Sequence, residues 1–149
     1  YDTRCEVPDE DYLIPFGQAA FTREGSDITI VSMSSMVLRC NEVADKLAAE
    51  GIHADVIDLR TVSPIDEGAV LESVEVSGRL VIVDEANERC SMASEISSIV
   101  AEKAFHSLRA PIAKVAAPHS PVPFAPSLED IYVPTVERIE AAVRATLEA

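Results

Sequence analysis

Cys90 follows Arg89 at the expected start of a helix. The pair could supply a nucleophile, because a helix N-terminus and a neighbouring cation both lower a thiol's pKa. No histidine follows at a recognisable spacing, so a small semi-buried cysteine is the expected reading. His119 lies in a proline-rich stretch and could be a base or a ligand. It has no carboxylate or cysteine partner in that stretch, so a loop-packing or interface role suits it better. His53 and His106 read as ordinary helix-flanking residues. Glu85, Asn87 and Arg89 form a polar elbow after an apolar run, able either to recognise a ligand or to cap the next helix. Asp58 ends another apolar run, where an acid could hold a ribose, and Asp84 with Glu85 offers one acidic site.

Larger motifs are missing around these groups. After the run Ile28 to Ser32 a dinucleotide site needs glycines that let the backbone approach a pyrophosphate; Met33-Ser34-Ser35-Met36 stands there instead. No G-x-x-x-x-G-K phosphate loop and no G-x-S-x-G nucleophile elbow occurs. A phospho-acceptor domain wants a lysine at a strand end, and Lys114 falls inside its strand. Cys5, Cys40 and Cys90 are odd in number and lack a C-x-x-C, which argues against a disulfide framework or a zinc site and suits a reducing cytoplasm.

The elements that would carry these residues follow from periodicity. Gln18 to Arg23 predicts a short strand, and Glu24-Gly25-Ser26 a turn that folds it back on Ile28 to Ser32 as an antiparallel edge pair. Ser34 or Ser35 should cap a helix with Val37, Cys40, Val43, Ala44, Leu47 and Ala48 on its buried face, ended by Gly51. Ala54 to Leu59 predicts a buried strand. Ser63-Pro64-Ile65-Asp66-Glu67 then places a capping serine, a proline at the first helical position and acids in the first turn; Ala69, Val70 and Val74 point inward before Ser77-Gly78. Arg79 to Asp84 predicts a central strand. A long helix to about Leu108 carries Ile96, Val100 and Ala104, and Ile112 to Ala117 gives a last strand. Four prolines between Pro118 and Pro126 predict a stiff extended loop, followed by a helix from Val136 to Leu147 with Ile139 and Val143 on its stripe. Strands alternating with helices predict an α/β class in three layers, with a parallel sheet covered on both faces.

Composition sets the outer bounds. A chain of 149 residues, 48% of them hydrophobic, suits one domain and one core. The formal charge of −14 repels nucleic-acid phosphate and suits either a solvated acidic surface or a docking face for a basic partner. No window is apolar enough to span a membrane. Residues 1–15 begin with Tyr1 and show neither period, as a linker cut from something longer would.

Several stretches in order carry a resemblance. They are Asp27 to Ser32; Val56-Ile57-Asp58-Leu59-Arg60-Thr61-Val62-Ser63-Pro64-Ile65-Asp66; Gly78 to Ala86; His119-Ser120-Pro121-Val122-Pro123-Phe124; Leu128-Glu129-Asp130; and Tyr132-Val133-Pro134. The chain resembles the transketolase C-terminal domain of beta subunits in thiamine-diphosphate-dependent 2-oxo acid dehydrogenases. Glu85 to Ala93 is more similar to acetoin dehydrogenase beta subunits than to pyruvate ones, which tend to be glycine-rich there. The resemblance implies a five-stranded, mostly parallel sheet whose first strand is antiparallel, over residues 16–149, after a missing N-terminal pyrimidine-binding domain. It implies an alpha subunit and a second beta subunit in a heterotetramer. Thiamine diphosphate and magnesium would sit between the alpha subunit and the beta N-terminal domain, with none held by this fragment. The parent would cleave acetoin or decarboxylate a 2-oxo acid and pass the acyl group to lipoamide on an acyltransferase core, whose basic binding module some members dock. The fragment itself would assemble and not catalyse, with Glu85, Asn87, Arg89, His119, Pro121, Pro123 and Phe124 as interface candidates. A freestanding α/β ligand-binding or regulatory module using the Glu85 to Ser91 elbow is the alternative, and an enzyme using Cys90 a third reading.

Overall fold

The computed structural model describes residues 6–149; Tyr1 to Cys5, the start of the expected linker, lie outside the described residues. Strand β1 (Ala20–Arg23) alternates half-buried and exposed side chains, whereas β2 (Ile28–Ser32) is buried at all five positions. A strand enclosed on both faces belongs in the middle of a sheet. There β2 lies, parallel to β3 (Ala54–Asp58) on one edge and to β4 (Leu80–Asn87) on the other. β5 (Ala113–Ala117) extends the sheet parallel to β4, giving the order β1-β3-β2-β4-β5.

The expected hairpin is corrected by this order. The first strand is antiparallel, but it pairs with β3, matching Ala20 to Asp58 and Phe21 to Ile57. Both edges of β2 are taken, so the chain crosses to the free edge of β3. Gly25 permits the crossing, since a Cβ there would sit 2.3 Å from the carbonyl carbon and oxygen of His53. The Gly25 N–H donates to Asp55 Oδ1 at 2.7 Å, and the Asp27 N–H to the His53 carbonyl at 2.9 Å.

Alternation along the strands divides the core in two. Ile28, Ile30, Val56, Val81 and Val83 face α1 (Met36–Ala48) and α5 (Val136–Glu148), which bring Cys40, Val43, Leu47, Ile139 and Val143. Val31, Ile57, Leu80 and Ile82 face α2 (Glu67–Ser77) and α3 (Met92–Lys103), which bring Val70, Val74, Ile96 and Val100. Each fully enclosed Ile or Leu contributes about 1.5–3 kcal/mol through area removed from water. On the second face lies a polar chain. Ser73 Oγ donates to Asp55 Oδ2 at 2.5 Å, and Thr29 Oγ1 lies 2.7 Å from Ser73 Oγ and 2.8 Å from Ser77 Oγ.

Helix boundaries differ from the sequence expectations for local reasons. α1 starts after Ser35, whose helical backbone leaves its hydroxyl free to donate to Glu85 Oε2 at 2.6 Å instead of capping; Ala48 is exposed. α2 begins after Asp66, whose carboxylate accepts the Ala69 N–H, so the cap is Asp66 and not Ser63. Asp66 also takes the Ala19 N–H at 2.8 Å and so ties the chain before β1 to this helix. Gly78 ends it at φ +70, the left-handed closure expected of glycine. α3 stops at Lys103 and a short 3-10 turn, Phe105–Ser107, follows. The proline-rich loop ends in a helix absent from the sequence expectations, α4 (Pro126–Tyr132), with Pro126 in its first turn.

Candidate functional site

The carboxyl ends of β2 to β5 form one edge, the place where an open parallel sheet binds ligands. Its strand-end aspartates accept backbone N–H groups. Asp84, buried at the end of the apolar part of β4, accepts the Ala86 N–H at 2.9 Å and the Ala93 N–H of α3 at 3.3 Å. Asp58 accepts the Arg60 N–H at 3.0 Å. β4 continues through Asn87, so the expected polar elbow is in part strand: Glu85 and Asn87 lie on β4, and Arg89 in the turn after it.

Three non-glycine residues with left-handed backbones follow these strands: Ser34 (φ 57) after β2, Arg60 (φ 55) after β3 and Cys90 (φ 51) after β4. Such conformations cost about 1–3 kcal/mol each and persist only where surrounding structure dictates them. The edge is therefore held in shape by its neighbours.

The structure brings two groups of candidates together. Glu85 meets Ser35, and Asn87 Oδ1 lies 3.1 Å from His119 Nδ1 while accepting the Arg89 N–H. Arg89 joins this set through its backbone. Pro121 and Pro123 belong to a second group with Tyr132, whose hydroxyl donates to the Ser120 carbonyl at 2.7 Å and lies 3.1 Å from that of Pro118. Around them is a hollow of about 320 Å³, lined also by Leu128 and Ile131. Phe124 stands beside it, fully exposed. Leu128, Ile131 and Tyr132 escape a sequence search because they become one surface only on α4, whose start is masked by prolines.

Cys90 is exposed rather than semi-buried, and lies one residue before the Ser91 cap of α3. It borders a cleft of about 950 Å³ between Val62–Ile65 and the start of α3, lined by Glu67 and Glu95 but by no histidine. Cys40 is its opposite, enclosed under α1 with its thiol pushed up to about 12 by burial. His53 and His106 are remote from both groups. The His53 N–H donates to Asp27 Oδ2 at 2.7 Å, and the His106 ring lies edge-on to Phe105. Among the described residues no three His, Cys, Asp or Glu side chains converge as metal ligands, and no helix is long and apolar enough to cross a membrane.

Comparison with known proteins adds a second line. The family described as Transketolase, C-terminal domain, matches residues 17–139. Over 148 residues the chain is 52% identical to acetoin:2,6-dichlorophenolindophenol oxidoreductase subunit beta of Cupriavidus necator, covering 99% of this chain and 44% of that one. The same subunit of Bacillus subtilis is 47% identical, with 99% and 42% covered. The Bacillus subtilis pyruvate dehydrogenase E1 component subunit beta is 39% identical, with 97% and 44% covered. This chain spans less than half the length of these relatives. A split-gene transketolase solved as an inactive beta4 tetramer superposes with a TM-score of 0.80 at 29% identity, over 96% of this chain and 45% of that one. With its antiparallel first strand, its sheet order and a match across most of its length, the chain belongs to the transketolase C-terminal domain family.

Proposed function

We propose that this chain is the C-terminal assembly and docking domain of the beta subunit of a thiamine-diphosphate-dependent dehydrogenase, of the type that cleaves acetoin or decarboxylates a 2-oxo acid. Acetoin is favoured because the two acetoin relatives are more similar to this chain than the pyruvate one. The observation that carries the assembly role is the state of the carboxyl edge. Its strand-end carboxylates accept backbone N–H groups, one at Asp58 and two at Asp84, while apolar side chains such as Phe124 and Ile131 face outward. Residues 1–15 would then link to an N-terminal pyrimidine-binding domain, and Glu85, Asn87, Arg89, His119, Pro121, Pro123 and Phe124 would border neighbouring subunits.

A diphosphate with its divalent cation requires free carboxylates or carbonyls on the metal and a backbone that approaches the phosphates. Two features support placing that group elsewhere: Asp58 and Asp84 hold backbone turns, and serines and methionines rather than glycines follow β2. Thiamine diphosphate and magnesium are assigned to the parent assembly, outside this domain. There the cofactor supplies the carbanion chemistry. Partners would be an alpha subunit, a second beta subunit and a lipoyl acyltransferase core, whose basic binding module is suited to a chain of charge −14 in the cytoplasm.

The test compares this chain alone with a co-expressed assembly of the full beta subunit and its alpha partner. Expected is acetoin-dependent dye reduction by the assembly, with neither dye reduction nor calorimetric thiamine diphosphate binding by the chain alone. Activity or cofactor binding by the chain alone would overturn the reading. The regulatory-module alternative finds less support, because its elbow is already engaged with Ser35 and His119.

A further inference from the structure

Between Ala117, enclosed at the end of β5, and Pro134, buried just before α5, no residue is buried, and that includes all of α4. The removal of apolar area from water that holds α1 and α5 on the sheet therefore does not hold this excursion. Hydrogen bonds to the core do not hold it either. Among the described residues, the bonds made from Ser120 to Val133 stay inside the stretch or reach back to Pro118. A single bond, between His119 Nδ1 and Asn87 Oδ1, joins it to the sheet. Its two feet are nevertheless fixed: the Glu88 N–H donates to the Ala117 carbonyl at 3.1 Å, and Arg39 Nη1 donates to the Pro134 carbonyl.

The neck of the excursion is tied by one side chain. The Tyr132 hydroxyl, at the end of α4, donates to the Ser120 carbonyl at 2.7 Å and lies 3.1 Å from the Pro118 carbonyl, so the last turn of the helix is fastened to the first residues of the loop. A surface loop with joined ends, packed by its own side chains, is an Ω-loop. The hollow of about 320 Å³ belongs to it entirely, since every wall, from Pro118 and Pro121 to Ile131 and Tyr132, comes from this stretch.

We propose that residues 118–133 form a flap that opens as one unit while the core stays folded, with the Tyr132 hydroxyl as the clasp at its neck. A helix of 7 residues is below the ~12–15 at which an isolated helix begins to hold in water, so α4 persists only while the neck is closed. Pro121, Pro123 and Pro126 fix φ along the other arm, which keeps that arm stiff and makes the neck the place that gives. The hollow is then conditional, because opening the clasp separates its walls. The proposal goes beyond the assembly reading and does not depend on it. It divides the interface candidates: Pro121, Pro123 and Phe124 travel with the flap, whereas Glu85 and Asn87 stay on β4.

Native-state hydrogen exchange of the 149-residue chain, followed by NMR at several urea concentrations, tests this. The flap reporters are the amides of Leu128, Glu129 and Val133, whose acceptors lie inside the loop; the core reporter is Ile30, in the central strand β2. Expected is exchange of the three flap amides on the order of a hundredfold or more faster than that of Ile30, with one shared urea dependence shallower than that of Ile30. Tyr132→Phe keeps the ring and removes the hydroxyl, and should speed the flap amides about three- to tenfold. Ile57→Val weakens the core far from the flap; it should speed Ile30 about two- to tenfold and leave the flap amides unchanged. Flap amides that exchange as slowly as Ile30, that differ in urea dependence, that ignore Tyr132→Phe or that follow Ile57→Val would each overturn the proposal.

Discussion

Asn87 Oδ1 accepts the Arg89 backbone N–H at 3.0 Å and lies 3.1 Å from Nδ1 of His119, so one oxygen fixes the tautomer of a histidine 32 residues away. A backbone N–H only donates, which makes the facing Asn87 atom the amide oxygen. That oxygen accepts, so His119 must carry a proton on Nδ1 and, when neutral, present Nε2 as a bare acceptor. Asn87→Leu should release this constraint. Nitrogen NMR of His119 should show the Nδ1–H form in the parent chain and a mixture of tautomers in the variant, with about 0.5–1.5 kcal/mol of stability lost.

The polar chain on the α2 face has a direction. Ser73 spends its one proton on Asp55, so it accepts from Thr29; Ser77 accepts the Arg79 N–H at 3.3 Å and has one proton to share between Thr29 at 2.8 Å and the Arg79 carbonyl at 3.1 Å. Asp55→Ala strips the acceptor from Ser73 and from the Gly25 N–H together, and urea unfolding should show about 1–3 kcal/mol lost. Ser77→Ala, at the far end of the chain, should cost less.

Gly25→Ala places a methyl group 2.3 Å from the His53 carbonyl, which belongs to the backbone and cannot rotate away. Relief requires β1 to pull away from β3. The expected cost is about 1–3 kcal/mol, with hydrogen exchange accelerated at Ala20 to Arg23 before any other strand.

Cys90 and Cys40 should separate cleanly under alkylation at neutral pH. Cys90 is exposed and should label in the native chain; Cys40 is enclosed with its thiol pushed up to about 12, and should label only on unfolding. Peptide mapping by mass spectrometry reads both sites. Labelling of Cys40 at the rate of Cys90 would contradict the packing of α1.

The Arg144 guanidinium holds the Glu50 carboxyl below its ordinary value, and Arg23 does the same to Asp45. Depressed carboxylate values mean stability that is present above the unfolded pKa of about 4 and lost as pH falls through the lower folded one. Glu50→Gln should therefore shrink the difference in urea midpoint between pH 7 and acid. Salt should raise the midpoint at neutral pH, because screening the repulsion of a −14 chain outweighs weakening a few exposed pairs.

How much of this was visible in the residues differs by level. The apolar runs of β2, β3 and β4 and the stripes of α1 and α5 are legible because burial on one or two faces leaves a period. The partner of β1 is not, because a turn sequence such as Glu24-Gly25-Ser26 suits both a hairpin and a crossing; only the enclosure of Ile28 to Ser32 on both edges decides between them. The α2 cap went to Asp66 over Ser63 because Asp66 serves two backbone donors at once. At the candidate site, Glu85, Asn87, His119 and Phe124 are conspicuous as types, yet the contact of Asn87 with His119 joins the ends of two different strands. The hollow beside Phe124 depends on α4, a helix of seven residues that four prolines conceal.

The crossing of β1 to β3 also bears on the order in which the molecule forms. No strand in this sheet pairs with its neighbour along the chain through a tight turn: β1 waits for β3, and β2 needs β4, about fifty residues on, to close its second edge. Contacts of such separation form slowly, since loop closure precedes any gain from pairing. A nascent chain ending before Leu80 would thus expose one whole edge of the strand that is buried at every position in the finished fold, and the segment Ile28 to Ser32 is where a folding helper or an aggregating neighbour would first take hold.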